Sequence, residues 1–341
     1  MLRLPPFEYH APNSIAEAVA LKEELGESAM FVSGGTDLFP NMKRRQFTPK
    51  TLIGLRDLPE LSTIVAEKYG NGLIIGSGVS LSEVAKNPEI RKCFPALAQA
   101  AGLVSAPQLR NMGTIGGNLC LDTRCNYYNQ TFPWRKALGF SLKKDGDICW
   151  VALSSPKCLA VSSSDCAPVV IALNAELYLE GPEGKRTIPA EEFYKNDGAD
   201  FLNKTPDELL TSIRVPSHEG WLMNYKKLRR RDSIDFPILG VATVLRLEDS
   251  GKSCAAGRPG NYGNCAEIRI VLGAVTSSPL RAYEAEEMLV GKHLTAERIE
   301  AAAQVAAKLA KPMDNTDMTL GFRKKMVSRF VADAIKEALE N

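Results

Sequence analysis

Two Gly-Gly pairs constrain this 341-residue chain more than any other feature. The first sits in FVSGGTDL: Phe31, Val32, Ser33, Gly34, Gly35, Thr36, Asp37 and Leu38. The second sits in GTIGGN, Gly113 to Asn118, reached through SAPQLRNM. Glycine lets a chain turn sharply and approach a ligand closely, which exposes backbone N–H groups to an anion. Either pair alone reads equally well as a plain turn. Together, about 80 residues apart, they suggest one diphosphate held from both sides by backbone amides. Neither is a Walker A loop, which ends Gly-Lys-Ser/Thr, nor a G-x-G-x-x-G dinucleotide fingerprint.

The surrounding chain reads as an ordinary globular protein of two or three domains. Apolar residues make up 45% and charged residues 24%. The net charge of +2 excludes an affinity built on a large field around phosphate backbones. The basic run KKLRRR, Lys226 to Arg231, lacks interleaved aromatics, so it reads as a solvated strand face with one cation aimed inward rather than as a nucleic-acid site. No run of about 18 apolar residues exists to span a bilayer. The N-terminal MLRLPPFEYHAPNS lacks the apolar core of a secretory signal, and a cytoplasmic location is the expectation.

Residues 13–26 predict a helix behind an Asn13 or Ser14 cap. Strands are expected over 29–32, 51–55, 73–75 and 175–179, with helical segments over 81–104 broken near Pro88 and Pro95. From about Trp221, GVATVLRLE and EIRIVLGAV predict two antiparallel strands, followed by amphipathic helices over 296–310 and 320–339. The last third therefore reads as a separate α+β domain.

Five of the eight cysteines, Cys120, Cys125, Cys149, Cys158 and Cys166, fall within one stretch of 47 residues. In a reducing compartment they are expected to be thiols or ligands rather than disulfides, as is the pair Cys254 and Cys265. Cys93 reads as helix filler. His10, His218 and His293 are isolated, with no H-E-x-x-H and no Ser/His/Asp arrangement.

FVSGGTDL together with APQLRNMGTIGGNL resembles the FAD-binding subunit of the molybdenum hydroxylase family, which includes xanthine dehydrogenase and the medium subunit of aerobic carbon monoxide dehydrogenase. The resemblance covers essentially the whole chain, ending in LVGKHLTAERI and GFRKKMVSRFVADAI. It implies an α+β fold: a two-part FAD domain of the p-cresol methylhydroxylase type over residues 1–217, then a smaller α+β domain over 218–341. It implies FAD-binding roles for Phe31 to Leu38, Thr114, Gly116, Gly117 and Asn118 around the diphosphate. Val104 would lie against the flavin, and Asp165 and Lys227 would contact FAD.

In ordinary members the second motif continues directly into an S-P-x-x-D sequence; here about 40 residues separate Leu121 from Ser162. This insertion, about 122–161, resembles that of the 4-hydroxybenzoyl-CoA reductase β subunit. There it binds a [4Fe–4S] cluster through four cysteines. Cys125, Cys149 and Cys158 match three ligand positions and Ser141 the fourth, a harder donor than thiolate. A cluster with Ser141 or another fourth ligand is expected; a three-iron cluster and no cluster are the alternatives. Cys120 and Cys166 are expected to be structural. The implied function is electron transfer beside a molybdopterin large subunit and a [2Fe–2S] small subunit, with a ferredoxin-like donor or acceptor. Outward electron flow from another aromatic or aldehyde substrate is a second reading. A stand-alone flavoprotein with a metal-free insertion is a third.

Overall fold

The computed structural model describes residues 2–248 and 261–340; Cys254 lies outside them. The chain opens with a parallel three-stranded sheet, order β1-β3-β2, from β1 (Glu8–His10), β2 (Ala29–Val32) and β3 (Thr51–Gly54). The Ser14 side chain caps α1 (Ile15–Leu25) by accepting the Glu17 amide, and the helix stops at Gly26 with φ +54°. Parallel neighbours need a crossover, and α1 and α2 (Leu38–Lys43) lie on the connections between these strands.

A five-stranded antiparallel sheet follows, order β4-β5-β8-β6-β7, from β4 (Ile64–Ala66), β5 (Gly72–Gly76), β6 (Glu176–Gly181), β7 (Gly184–Pro189) and β8 (Leu209–Pro216). The predicted breaks at Pro88 and Pro95 are helix starts: α3 (Leu81–Lys86), α4 (Pro88–Cys93) and α5 (Pro95–Leu103) run in series, since proline is favoured at a first helical position. Cys93 is half-buried at the end of α4, against the core. The short α6 (Pro107–Arg110) and α7 (Ile115–Leu119) precede the insertion, whose one helix is α8 (Phe132–Ala137). The apolar run after the insertion forms the wholly buried α9 (Cys166–Ala172).

The C-terminal sheet, order β12-β11-β10-β9, comprises β9 (Leu222–Leu228), β10 (Leu239–Leu247), β11 (Asn261–Gly273) and β12 (Leu280–Arg281), with β13 (His293–Thr295) on β11. The expected pairing of the two long strands holds, in the register Val244 opposite Arg269. One face of this sheet packs on the long helices α11 (Ala296–Leu309) and α12 (Leu320–Glu340), with α10 (Tyr283–Glu287) alongside. From the other face, Met223, Tyr225, Ala242, Val244 and Val271 enter the same core as α5 and α9. The sheet is buried on both faces, so the junction of the two parts is continuous hydrophobic core. The architecture is the two-part domain plus α+β domain expected from the sequence.

Candidate functional site

Both Gly-Gly loops meet at a cavity of about 630 Å³. Residues 31–38 all line it, together with Val104, Thr114, Gly117, Asn118 and Asp165; Gly116 lines an adjoining cavity of about 440 Å³. Local chemistry explains how the loops reach this place. A Cβ on Gly34 would overlap the Met112 carbonyl, so only glycine lets the first loop lie on the second. Gly35 adopts φ +68° and leads into α2. On Gly116 a Cβ would come within 2.5 Å of the Ser77 side chain and 2.8 Å of its carbonyl. The Thr114 hydroxyl accepts the Gly117 amide at 3.2 Å, closing the second turn.

Asn118 works across the fold. Its Oδ1 accepts the Ser164 hydroxyl at 2.8 Å and the Cys166 amide at 3.1 Å, which sets Asp165 in place between them. Asp165 in turn accepts Tyr225 Oη at 2.8 Å and Lys227 Nζ at 2.9 Å, and Lys227 also donates to the Leu103 carbonyl at 3.0 Å. Burial pushes the Asp165 carboxyl above its usual range, against the pull of Lys227 and Tyr225. Lys227 is the most buried cation of the KKLRRR run: its side chain is 1% exposed, against 22% for Lys226, 20% for Arg229, 60% for Arg230 and 69% for Arg231. Tyr225 is a residue sequence reasoning missed; its alternation with Lys227 on β9 was the available signal.

The insertion forms another wall. Asp122 lines the cavity, and Lys143 Nζ donates to Asp122 Oδ1 at 2.7 Å, Thr123 Oγ1 at 2.6 Å and the Gly198 carbonyl at 2.6 Å. Arg124 pairs with Asp37 of the first loop, and its guanidinium lies 4.4 Å from the Phe236 ring centroid. Burial lowers the Arg124 pKa to about 10. Sequence inspection overlooked all three side chains, although DTRC and LKKDGD marked the segments that carry them.

Cys125 and Cys158 share a small buried cluster with Tyr128 and Ala160. Burial raises both thiols, Cys158 to about 11, and Cys149 lies close enough to raise each further while Lys143 lowers both. Cys149 is buried as well, but lies outside that cluster. Ser141 is not joined to them by any side-chain hydrogen bond; its backbone closes a tight turn with Lys144 and Asp145. Among the described residues no three His, Cys, Asp or Glu side chains are grouped to hold a single metal ion. Cys166 is fully buried in the core, as expected of a structural residue, whereas Cys120 lines both cavities. Buried Cys265, expected to be reduced rather than in a disulfide with Cys254, is a free thiol among the described residues.

Two sequence families match the chain: the FAD binding domain in molybdopterin dehydrogenase over residues 5–218, and the CO dehydrogenase flavoprotein C-terminal domain over 223–338. The chain belongs to this family of FAD-binding oxidoreductase subunits. It is 32% identical to the carbon monoxide dehydrogenase medium chain of Hydrogenophaga pseudoflava, over 98% of this chain and 97% of the relative. The nicotine 6-hydroxylase medium subunit of Paenarthrobacter nicotinovorans is 26% identical, over 99% of each. A solved structure of the Hydrogenophaga pseudoflava carbon monoxide dehydrogenase superposes with a TM-score of 0.78 at 32% identity, covering 98% of both chains. The cavity suits the FAD that the family binds: two glycine-built loops face it, and the buried Ser33 Oγ and Asp122 Oδ2 on its wall have no protein partner. No helix among the described residues is long and apolar enough to cross a membrane.

Proposed function

We propose that this chain is the FAD-carrying electron-transfer subunit of a molybdenum-containing oxidoreductase, working beside a molybdopterin-binding large subunit and a [2Fe–2S] small subunit. The supporting observation is the convergence of both Gly-Gly loops, Val104 and Asp165 on one cavity. In this reading residues 31–38, Thr114, Gly116 and Gly117 hold the diphosphate. Asn118 positions Asp165, Lys227 neutralises it, and Val104 lies against the ring. Bound FAD supplies the redox chemistry; the protein binds and tunes it.

The insertion supports a finer reading, in which Cys125, Cys149 and Cys158 ligate an iron–sulfur cluster and the complex acts reductively, as a 4-hydroxybenzoyl-CoA reductase does, with a ferredoxin-like donor. What supports this reading is that all three cysteines are buried in the insertion, with Cys125 and Cys158 in one cluster. The similarity to relatives named as carbon monoxide dehydrogenase and nicotine hydroxylase subunits favours a second reading: outward electron flow from another substrate.

Purification with the products of neighbouring reading frames tests the assignment. The expected preparation has a flavin spectrum that bleaches on reduction and contains both partner subunits; a flavin-free monomer would refute it. Iron analysis with EPR on the wild type and Ser141→Cys tests the cluster. Roughly four irons per chain are expected for a [4Fe–4S] centre, with a spectrum altered by the substitution if Ser141 is a ligand. Flavin without iron eliminates the cluster, and identical spectra remove Ser141 from it.

A further inference from the structure

The ion pairs around the cleft leave an unbalanced charge. Four aspartates line the larger cavity, Asp37, Asp122, Asp165 and Asp235, and each is matched by a cation: Arg124, Lys143, Lys227 and Arg231. Two further lysines on the lining, Lys144 and Lys204, form no salt bridge among the described residues. Lys144 rests near the Phe47 ring, 5.9 Å from its centroid. Lys204 Nζ donates to the Thr205 and Glu208 carbonyls, both at 2.9 Å. An ammonium has three N–H donors, so one remains.

Lys204 also holds a particular position. The two cavities share seven lining residues, and Lys204 is the one cation among them. The others include Ser33 of the first Gly-Gly loop and Thr114 and Gly117 of the second, so both loops meet Lys204 at this junction. The Ser33 hydroxyl there is buried without a protein partner. The smaller cavity is otherwise balanced: its Lys22 pairs with Asp207 at 3.3 Å, its Glu208 pairs with Arg186, and its Glu27 is exposed. Leu55, Leu61, Leu209 and Leu210 give it an apolar wall.

We propose that Lys204 is the phosphate-binding cation of this site, placed where the two cavities join so that its ammonium and the Ser33 hydroxyl meet the diphosphate bridge of a dinucleotide whose two halves occupy the two cavities. This rests on the FAD reading above. Backbone amides supply direction but no net charge; Lys204 supplies the charge. Burial lowers the Lys204 pKa, against the pull of Cys120 and of the Glu208 and Asp207 carboxylates, neither of which forms a salt bridge with it.

The test is FAD titration of the deflavinated full-length chain, followed by flavin fluorescence, for wild type, Lys204→Met and Lys204→Arg. Losing a charge-assisted contact should weaken FAD binding about 10- to 100-fold in Lys204→Met, with Lys204→Arg retaining most of the affinity. The salt dependence of the dissociation constant should flatten in Lys204→Met, and the weaker affinity for riboflavin, which carries no phosphate, should not change. Unaltered FAD affinity in Lys204→Met overturns the proposal. So does an equal loss of FAD and riboflavin with a lowered melting temperature of the apoprotein, because that marks Lys204 as a strut for the Thr205 and Glu208 carbonyls. A wild-type chain that takes up no FAD defeats the functional reading itself, and this inference with it.

Discussion

The Gly-Gly loops and the insertion both wall the same cleft, but opposite devices hold them in place. The loops depend on missing side chains: Gly34 lies on the Met112 carbonyl and Gly116 on Ser77, so backbone meets backbone. The insertion depends on long cationic side chains. Arg124 reaches Asp37, Lys143 reaches Asp122, and the buried Arg135 donates to the Arg45 carbonyl at 2.9 Å. Its own apolar cluster is small, with four buried members. A glycine contact tolerates no substitution, whereas a buried ion pair can be exchanged as a unit. The loop geometry is therefore rigidly specified, and the insertion is an added module clamped on by charge.

The largest expected effect tests the loop side. Gly34→Ala should cost about 4 kcal/mol or more, because backbone must move to admit the methyl. Gly139, in the insertion, has φ +85° but nothing within 4 Å of where a Cβ would sit, so Gly139→Ala should cost only about 1 kcal/mol. Denaturant unfolding of both variants measures the contrast; comparable costs would break it.

The insertion side is tested next. Lys143→Met leaves Asp122 buried without its counter-ion and should destabilise by about 3–5 kcal/mol, while adding Asp122→Leu should restore most of the loss. Proteolysis within 122–161 should accelerate in the single variant and return toward wild type in the double. No recovery in the double variant would show that Lys143 acts by packing on Tyr128, whose ring centroid is 4.9 Å away, rather than by pairing. A smaller effect is expected for Phe236→Ala, which removes the aromatic face from Arg124: about 1 kcal/mol, read as a shift in melting temperature.

The same contrast explains what was legible in the sequence. Short-range patterns gave correct elements: the Ser14 cap, the prolines that begin α4 and α5, the alternation of β10 and β11. The glycine loops were legible because a required absence of side chain shows directly in the residue type. Arg124, Lys143 and Tyr225 were not, since each acts through a partner 20 to 87 residues away and ordinary surface positions carry the same residue types. The cysteines announced the insertion, yet its backbone, one short helix among turns, follows from clamps that no local pattern encodes.

The smallest expected effect probes the continuous core between the two parts, where a single long cation adds one tie to the apolar packing. His218 follows β8 and packs on Trp221, ring centroids 5.0 Å apart. Its Nδ1 donates to the Pro216 carbonyl at 2.8 Å, which leaves Nε2 to accept Arg269 Nη1 at 3.1 Å. That guanidinium also donates to the Ala172 carbonyl of α9 at 3.1 Å, so it ties β11 to the FAD domain. The charged groups facing it are Glu267, 3.3 Å from Arg269, and Arg246, stacked 5.6 Å over Trp221. Burial lowers the His218 pKa below its ordinary 6.5, against the Pro216 hydrogen bond and with the repulsion of Arg269. A lowered pKa means the unfolded chain binds the proton more readily. The stabilising contribution of neutral His218 is therefore complete above about pH 6.5 and fades as pH falls through the lowered folded value. Melting temperature should drop on acidification across that window, and the drop should shrink in His218→Gln, whose amide can still accept from Arg269 but does not titrate. An equal drop in the variant would assign the acid sensitivity to the carboxylates of the cleft instead.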